Sequence, residues 1–170
     1  MSRTGVVVVI ATAAEIIRDL RMVHDPLAAR GVPAHVTILF PFRSVVDDST
    51  AQQISTIASQ TRPFDVTFSS VERFGDEVVY LVPEPAAAFS ALIGLFVEAF
   101  PDCPPYAGKH PDPTPHLTVG SNLIPGAADE LVAAIGTLSI TTRVDRLTLL
   151  VEQDDGAWTT SQTWPLGTSR

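Results

Sequence analysis

The sequence predicts an α+β fold made of one duplicated unit, with two antiparallel sheets and outer helices around a central cleft. Two observations lead to this prediction: apolar strands alternate with amphipathic helices, and the order of these elements repeats along the chain. Each repeat starts with a strand that carries a histidine and continues with a helix, a long strand, a glycine-containing turn and a shorter strand. The repeats cover approximately residues 33–84 and 114–166 of a single bilobal domain that spans 1–170. The two histidine strands should therefore meet at the cleft between the lobes.

Local patterns define the elements in order. An apolar run predicts the first strand, and apolar residues at helical spacing predict a helix that ends at Asp25-Pro26, because the residue before a proline disfavours helical geometry. Alternating apolar residues predict a hairpin that turns at Gly75, and the apolar residues from Phe89 to Phe100 fall on one helix face. The predicted strands cover residues 4–11, 31–42, 64–74, 77–84, 112–120, 138–152 and 157–164, and the predicted helices cover 13–20, 47–58, 89–100 and 126–136.

Composition limits the classes of function. With 45% hydrophobic and 18% charged residues, the chain of 170 residues can bury a core, and we expect it to be soluble and cytoplasmic. No apolar run is long enough to span a membrane or has the charged start of a signal peptide. A net charge of −8 repels polyanions, so we expect no duplex DNA partner. Any phosphate-containing ligand should be small, or should be held only at its end. Cys103 is the only cysteine, so no internal disulfide can form. We also expect a monomer.

Two short segments carry the same chemistry. The segments "HVTI" and "HLTV" begin at His35 and His116, about half the chain length apart. Because side chains alternate along a strand, each histidine shares a face with the threonine two residues later, Thr37 or Thr118, while the apolar residues between them point into the core. Each motif thus offers an imidazole and a hydroxyl group about 7 Å apart. Two imidazoles that titrate near neutrality and two hydroxyl donors are suited to acid–base cleavage of a phosphodiester without a metal.

This spaced pair of His-x-Thr-x motifs in a duplicated α+β chain resembles the 2H phosphoesterase superfamily, and "ARGVPAHVTILFPF" is most similar to its 2'-5' RNA ligase-like (LigT-like) branch. The resemblance implies that His35 and His116 are catalytic and that Thr37 and Thr118 bind phosphate. It implies opening of a 2',3'-cyclic phosphate on an RNA 3' end or a small cyclic nucleotide, commonly to a 2'-phosphate, and in some members the reverse joining of RNA ends. It favours His35 as the acid and His116 as the base, although the near-equivalence of the motifs leaves the reverse assignment open. It implies no cofactor.

Other polar residues near the motifs are candidates for substrate binding. Arg43 follows the first motif, and arginine binds phosphate well. Tyr106 and His110 lie in the proline- and glycine-rich loop that leads to the second motif. His110, together with Lys109, could reach over the cleft, and a solvated position in the loop is the alternative. A surface ion pair is likewise the alternative for Arg43.

Aromatic side chains are candidates for stacking on a nucleobase, which is how proteins usually hold single-stranded RNA. The candidates are Phe40, Phe42, Tyr80, Tyr106, Trp158 and Trp164. Strand alternation turns Phe40 and Phe42 away from the histidines, although a bend at Pro41 would return Phe42 to them. Trp158 and Trp164 fall on the same side of the last strand, which favours a position in the core for both.

Other classes of site lack their sequence patterns. No ligands occur at the spacing typical of a zinc site, so we expect no metal, and no glycine-rich phosphate loop indicates a dinucleotide or ATP site. Two alternatives use the same cleft: a non-catalytic protein that binds RNA ends or nucleotides, and a hydrolase of another cyclic phosphate, such as one derived from ADP-ribose. A bell-shaped pH–rate profile limited by two imidazoles would distinguish an enzyme from a binding protein.

Overall fold

The structure, a computed structural model, describes residues 2–167, which form eight strands and six helices. The strands are β1 (Thr4–Val9), β2 (His35–Leu39), β3 (Phe64–Phe74), β4 (Val78–Glu84), β5 (Leu117–Gly120), β6 (Ile140–Val144), β7 (Arg146–Glu152) and β8 (Trp158–Pro165). The helices are α1 (Ala11–Ile16), α2 (Arg18–His24), α3 (Pro26–Ala29), α4 (Asp48–Gln60), α5 (Ala86–Ala99) and α6 (Ala127–Ile135), and a 3-10 turn spans Pro105–Gly108.

The histidine strands lie at the middle of one antiparallel sheet. Its strand order is β6-β3-β4-β5-β2-β1-β7-β8, so two four-stranded halves meet where β2 pairs with β5. The predicted α+β class with antiparallel sheets is confirmed, and the two sheets are the halves of this continuous sheet. Most strands that follow a histidine strand cross to the other half: β3 and β4, which follow β2, join β5, whereas β7 and β8, which follow β5, join β1 and β2. The exception is β6, which pairs with β3 in the same half as β5. Each half of the sheet therefore depends on both halves of the sequence.

Two predicted elements are divided in the structure. The first predicted helix is interrupted at Ile17, whose φ of −105° and ψ of 13° separate α1 from α2. The single strand predicted for 138–152 is wrong, because Asp145 separates β6, which pairs with β3, from β7, which pairs with β1. The buried apolar residues change phase here, from Val144 to Leu147, so one regular strand could not turn both toward the same face.

The two faces of the sheet have different partners. One face packs against the helices and forms the main core, in which Phe68, Phe89 and Phe96 are fully buried. β2 and β5 follow the predicted alternation, because Val36 and Leu117 are fully buried in this core whereas the flanking histidines and threonines are half-buried. The second face of the sheet, opposite the main core, carries the candidate site.

Other predicted elements are confirmed. The amphipathic helix predicted for 89–100 is α5, and the predicted hairpin is formed by β3 and β4, which turn at Gly75 with a φ of 56°. A left-handed backbone of this kind is readily adopted by glycine, which explains the sequence signal at this turn. In the stretch from residue 2 to 167, no helix combines the length and the apolar composition needed to cross a bilayer.

Candidate active site

Four polar side chains lie together where the two histidine strands pair. The buried middle residues of the two motifs form an antiparallel bridge between β2 and β5. This register places His35 opposite Thr118 and Thr37 opposite His116, on the face of the sheet away from the main core. All four side chains line one cleft. Directly opposed residues have Cβ atoms about 5 Å apart and diagonal ones about 7–8 Å, so the two imidazoles flank a space that fits a phosphate group.

Both imidazoles are held in the same way. His35 Nδ1 lies 2.7 Å from the carbonyl oxygen of Pro33, and His116 Nδ1 lies 2.6 Å from that of Thr114. A carbonyl oxygen only accepts hydrogen bonds, so each Nδ1 carries the proton and donates it. The other ring nitrogen, Nε2, is then an acceptor in the neutral imidazole and a donor in the imidazolium. Each neutral histidine is thus fixed in the tautomer that carries its proton on Nδ1 and has Nε2 as the acceptor.

The protein environment keeps both imidazoles neutral at pH 7. Burial is the main cause that lowers the pKa of His35 to about 4, and the positive charge of Arg21 adds to this effect. Burial likewise lowers the pKa of His116, against the opposing effect of the hydrogen bond to Thr114. A bound phosphate anion would raise both pKa values by favouring the charged imidazolium. The cleft is therefore arranged so that proton affinity increases when an anion enters.

Two adjoining cavities form the cleft. One, of about 260 Å³, is lined by all four motif residues, and the other, of about 390 Å³, shares His116 and Thr118 with it. Tyr106 and Ser121 also line both cavities. Apolar side chains complete the wall of the first cavity: Val7, Leu27, Val32, Phe40, Leu150 and Trp158. The cleft thus has space on both sides of His116.

Aromatic rings support the imidazole of His116. The ring of Phe74 meets it edge-on at a centroid distance of 5.0 Å, and the ring of Tyr80 lies 5.4 Å away. Phe74 and Tyr80 stack on each other at 4.3 Å. Tyr80 belongs to β4, where it pairs with Thr118 of β5. Tyr80, a candidate for base stacking, therefore packs against a motif histidine instead of presenting an open ring face.

Two of the predicted substrate-binding residues line the cleft. Tyr106 borders both cavities, and its backbone N–H donates to the carbonyl oxygen of Phe40 at 2.7 Å, which ties the loop to the end of β2. Burial raises the pKa of Tyr106, and hydrogen bonding with Thr37 partly opposes this shift. His110 borders the second cavity, with its ring 5.5 Å from that of Tyr106. The loop before the second motif thus covers part of the site.

Arg43, the third predicted substrate-binding residue, lies outside the cleft. Its Nε and Nη2 donate to the two carboxylate oxygens of Asp102 at 2.9 and 2.8 Å, and its Nη1 donates to Thr50 at 2.9 Å. The guanidinium group also lies 5.1 Å from the centre of the Phe100 ring. Arg43 lines neither cavity of the cleft. These contacts attach the segment after β2 to neighbouring loops and give no support to a role in substrate binding.

Two aromatic residues depart from strand alternation. Phe40 lines the cleft with the histidines, contrary to prediction, because β2 ends at Leu39 and both Ile38 and Leu39 are buried. The predicted core positions are confirmed for both tryptophans, which are buried in different clusters: Trp164 belongs to the main core, whereas Trp158 belongs to a small second cluster and also lines the cleft. The pairing of β7 with β8 shifts register between Leu149 and Leu150, which places the two tryptophans on opposite faces.

Arg21 and Asp25 form a buried ion pair at the wall of the first cavity, which Asp25 lines. This pair was not predicted from the sequence. Arg21 and Asp25 have side chains 6% and 4% exposed, and Arg21 Nη2 donates to Asp25 Oδ2 at 2.7 Å. Arg21 also donates to the carbonyl oxygen of Val32, which leads into β2. The hydroxyl of Ser121, at the end of β5, donates to Asp25 Oδ1 at 3.2 Å. The i,i+4 spacing of Arg21 and Asp25 in the sequence could have indicated this ion pair, because residues four apart lie on the same face of a helix.

The position of Arg3 in the cleft was also not predicted from the sequence. It lies next to Thr4, the first residue of β1, and lines the first cavity. Its Nε and Nη2 donate to the two carboxylate oxygens of Glu152, both at 2.6 Å. The guanidinium group lies 5.7 Å from the centre of the Trp158 ring. No local pattern indicates that this terminal arginine reaches the cleft, because its position depends on the pairing of β1 with β7.

Comparisons with known proteins identify the family. The model of the 2'-5' RNA ligase superfamily matches residues 9–156. A relative from Halalkalibacterium halodurans, named "Putative phosphoesterase BH1439", is 28% identical over 163 residues, which cover 90% of each chain. The crystal structure of TT0787 from Thermus thermophilus matches 98% of this chain and 100% of its own at 16% identity, with a TM-score of 0.67. That of E. coli LigT complexed with 3'-AMP matches 98% and 99% at 18% identity, with a TM-score of 0.58.

The two structural similarities establish the fold, and the family match covers most of the chain, including both histidine motifs. The chain therefore belongs to the 2'-5' RNA ligase superfamily of 2H phosphoesterases, a membership that supports a phosphoesterase function.

Proposed function

We propose that this protein hydrolyses 2',3'-cyclic phosphate ends of RNA or small cyclic nucleotides by metal-independent acid–base catalysis with His35 and His116. The observation that carries the proposal is the matched environment of the two imidazoles. Each lies in the cleft, with Nδ1 next to a carbonyl oxygen two residues earlier and with the threonine of the other motif opposite. Such a pair can accept one proton and donate another across a bound phosphate.

The proposed reaction is attack of water on the phosphorus atom. The neutral imidazole takes a proton from the water as the new P–O bond forms. The bond from phosphorus to the 3' oxygen breaks, and the protonated imidazole donates a proton to this oxygen. The products are a 2'-phosphate and a free 3' hydroxyl group. Thr37 and Thr118 donate hydrogen bonds to the non-bridging oxygens, where negative charge increases in the transition state. With an RNA 5' hydroxyl in the place of water, the same sequence of proton transfers, with the 3' oxygen as the leaving group, would join RNA ends through a 2'-5' linkage.

The pKa values favour one assignment of the two roles. His35 carries the larger downward shift, because it is buried and lies near the positive charge of Arg21. A single proton shared by the pair therefore resides mainly on His116. We accordingly assign His116 as the proton donor and His35 as the acceptor, which reverses the assignment that the resemblance implies.

The known complexes of a structural relative support nucleotides as ligands. The E. coli LigT structures were determined with 3'-AMP and with ATP. The cleft of the present protein has the features expected for such ligands, because aromatic walls adjoin two hydroxyl donors and two imidazoles. The apolar surface of Phe40, which faces the cleft, is suited to the ribose or base of a nucleotide.

The proposal is tested with purified protein and a panel of phosphodiesters in the presence of EDTA. The panel contains nucleoside 2',3'-cyclic phosphates, 3',5'-cyclic phosphates and a linear dinucleotide, and the products are separated chromatographically as 2'- and 3'-phosphates. We expect turnover of the 2',3'-cyclic compounds to the 2'-phosphate. A protein that binds 2'-phosphates in the cleft and turns over none of the panel would be a non-catalytic binder.

A further inference from the structure

The cleft has one permanent cation among the residues that the structure describes. Of the side chains that line the two cavities, only Arg3 carries a charge that is positive at all relevant pH values. The histidines are neutral at pH 7 in the free protein, and Asp25 and Asp112 are acidic. In a chain of net charge −8, a cation in the substrate cleft is the expected anchor for an anionic group.

We infer that Arg3 binds a second phosphate of the substrate, so that the preferred substrate is a cyclic nucleotide that carries a further phosphate on its 5' side, as the end of an RNA strand does. This inference rests on the proposed function, because it places the cyclic phosphate between His35 and His116. It narrows the proposed substrates to those that carry this second phosphate.

The position of Arg3 separates it from the reacting phosphate. Val7 of β1 pairs with Thr37 of β2, and Thr4 pairs with Val151 of β7. The backbone of Arg3 therefore lies about 13 Å along β1 from the level of Thr37. An arginine side chain spans only part of this distance. The guanidinium group is thus placed for an anion that lies one substrate unit away from the cyclic phosphate.

The guanidinium group is oriented before a ligand binds. A guanidinium has five N–H donors, and Glu152 engages two of them, one on Nε and one on Nη2. The two donors on Nη1 and the second on Nη2 have no hydrogen-bond partner within the described part of the chain. The Arg3 side chain is 51% exposed and that of Glu152 is 16% exposed, so the ion pair leaves the outer edge of the guanidinium accessible. This edge can form a two-point contact with phosphate oxygens.

An aromatic surface connects Arg3 to the histidines. The ring of Phe40 lies next to that of Trp158, with centroids 6.2 Å apart and planes tilted by 57°. Arg3 lies over the ring of Trp158 at 5.7 Å. The order from the motif residues to Phe40, Trp158 and Arg3 matches a cyclic phosphate, a nucleoside and a second phosphate. A purely structural role of the pair Arg3–Glu152 is the competing explanation, since these residues also share a backbone hydrogen bond of 2.9 Å.

Three substrates separate the two explanations. They are a nucleoside 2',3'-cyclic phosphate, the same compound with a 5'-phosphate, and a dinucleotide that ends in the same cyclic phosphate. For the wild-type protein we expect kcat/KM to be about tenfold or more higher for the two compounds with a second phosphate. In Arg3→Gln, the ratio of kcat/KM with and without the second phosphate should fall to about one. Arg3→Lys keeps the positive charge but lacks the planar guanidinium that makes two-point contacts, so it should retain part of the preference.

A matched control is an arginine away from the cleft. Arg146 is exposed, pairs with Asp145 and lines neither cavity, so Arg146→Gln should keep the wild-type preference. The inference is wrong if the wild-type protein does not discriminate between the substrates, or if Arg3→Gln lowers kcat/KM equally for all three. An equal loss is the result expected for a purely structural ion pair. A preference confined to the 5'-phosphorylated mononucleotide would indicate a free nucleotide substrate, whereas an equal preference for the dinucleotide would indicate an RNA end.

Binding measurements distinguish failure of this inference from failure of the proposed function. Calorimetric titration compares a nucleoside 2'-phosphate with the corresponding 2',5'-bisphosphate, for the wild-type protein and for Arg3→Gln. Tighter binding of the bisphosphate that disappears in Arg3→Gln supports the inference even if no cyclic phosphate is turned over. Turnover of the nucleoside cyclic phosphate together with equal affinities for the two ligands leaves the proposed function intact and overturns the inference. Absence of binding by both ligands also overturns it.

Discussion

His35 faces Thr118 across the central pair of strands, although the two residues belong to different motifs and lie far apart in the sequence. Thr37 faces His116 in the same way. Each imidazole therefore has the hydroxyl group of the other motif as its cross-strand neighbour, and neither half of the chain contains a complete site. Because the threonines lie on paired strands, their hydroxyl groups would need little reorganisation to bind phosphate oxygens in the proposed reaction.

The two threonines should contribute through their hydroxyl groups. Thr37→Val or Thr118→Val keeps the shape of the side chain and removes one donor, so each should cost about 2–4 kcal/mol of transition-state stabilisation, seen as a lower kcat. Thr37→Ser and Thr118→Ser are the matched controls, because they keep the hydroxyl group. Steady-state kinetics on a nucleoside 2',3'-cyclic phosphate provides the measurement. Equal activity of the serine and valine variants would show that the hydroxyl groups do not act on the transition state.

The pH dependence of catalysis should identify the two proton-transfer roles. The proton acceptor must be neutral, so its titration produces the acidic limb of kcat/KM, and the donor must be protonated, so its titration produces the alkaline limb. With His35 as acceptor and His116 as donor, the residual activity of His35→Ala should lose the acidic limb and that of His116→Ala the alkaline limb. The opposite pattern of lost limbs would show that the pKa values of the free protein do not determine the roles in the complex.

The stability of the fold should also respond to the burial of His35. Its folded pKa of about 4 lies below the ordinary histidine value of 6.5. The unfolded chain therefore binds more protons in this interval, and the free energy of unfolding falls as the pH decreases from about 6.5 to 4, by on the order of 3 kcal/mol from this residue. Urea unfolding of His35→Gln should lack this part of the pH dependence, while acidic residues contribute equally to both proteins. Parallel curves of stability against pH for the two proteins would contradict the prediction.

The buried pair of Arg21 and Asp25 should be sensitive to the loss of one charge. Arg21→Met leaves the Asp25 carboxylate buried without its partner, which should lower the free energy of unfolding by about 3–5 kcal/mol. Adding Asp25→Asn removes the uncompensated charge and should recover a large part of this loss. Urea denaturation of the single and double variants at pH 7 measures both effects. A double variant no more stable than Arg21→Met would mean that the cost comes from packing instead of the unpaired charge.

The parts of the fold and site that depend on local sequence could be predicted. The two histidine motifs, their alternation and the amphipathic helix α5 follow from periods of two and 3.6 residues, which side-chain chemistry imposes directly. The position of Tyr106 and His110 beside the cleft also agrees with their place in the loop before the second motif.

The parts that depend on strand pairing could not be predicted. Trp158 reaches the cleft because the pairing of β7 with β8 shifts by a residue, and nothing in the sequence around it marks this shift. Arg3 reaches the cleft because β1 lies between β2 and β7. The division at Asp145 did leave a signal, since the apolar residues on its two sides alternate out of phase.

The two-histidine mechanism is tested most directly by hydrolysis of a nucleoside 2',3'-cyclic phosphate in EDTA, followed by phosphorus NMR, for the wild-type protein, His35→Ala and His116→Ala. His24→Ala, whose side chain lines neither cavity, is the control. We expect conversion to the 2'-phosphate by the wild-type protein and the control, and a decrease in kcat of about 10²–10⁴-fold in each motif variant with an unchanged thermal unfolding transition. Near wild-type turnover by either folded motif variant would contradict the two-histidine mechanism.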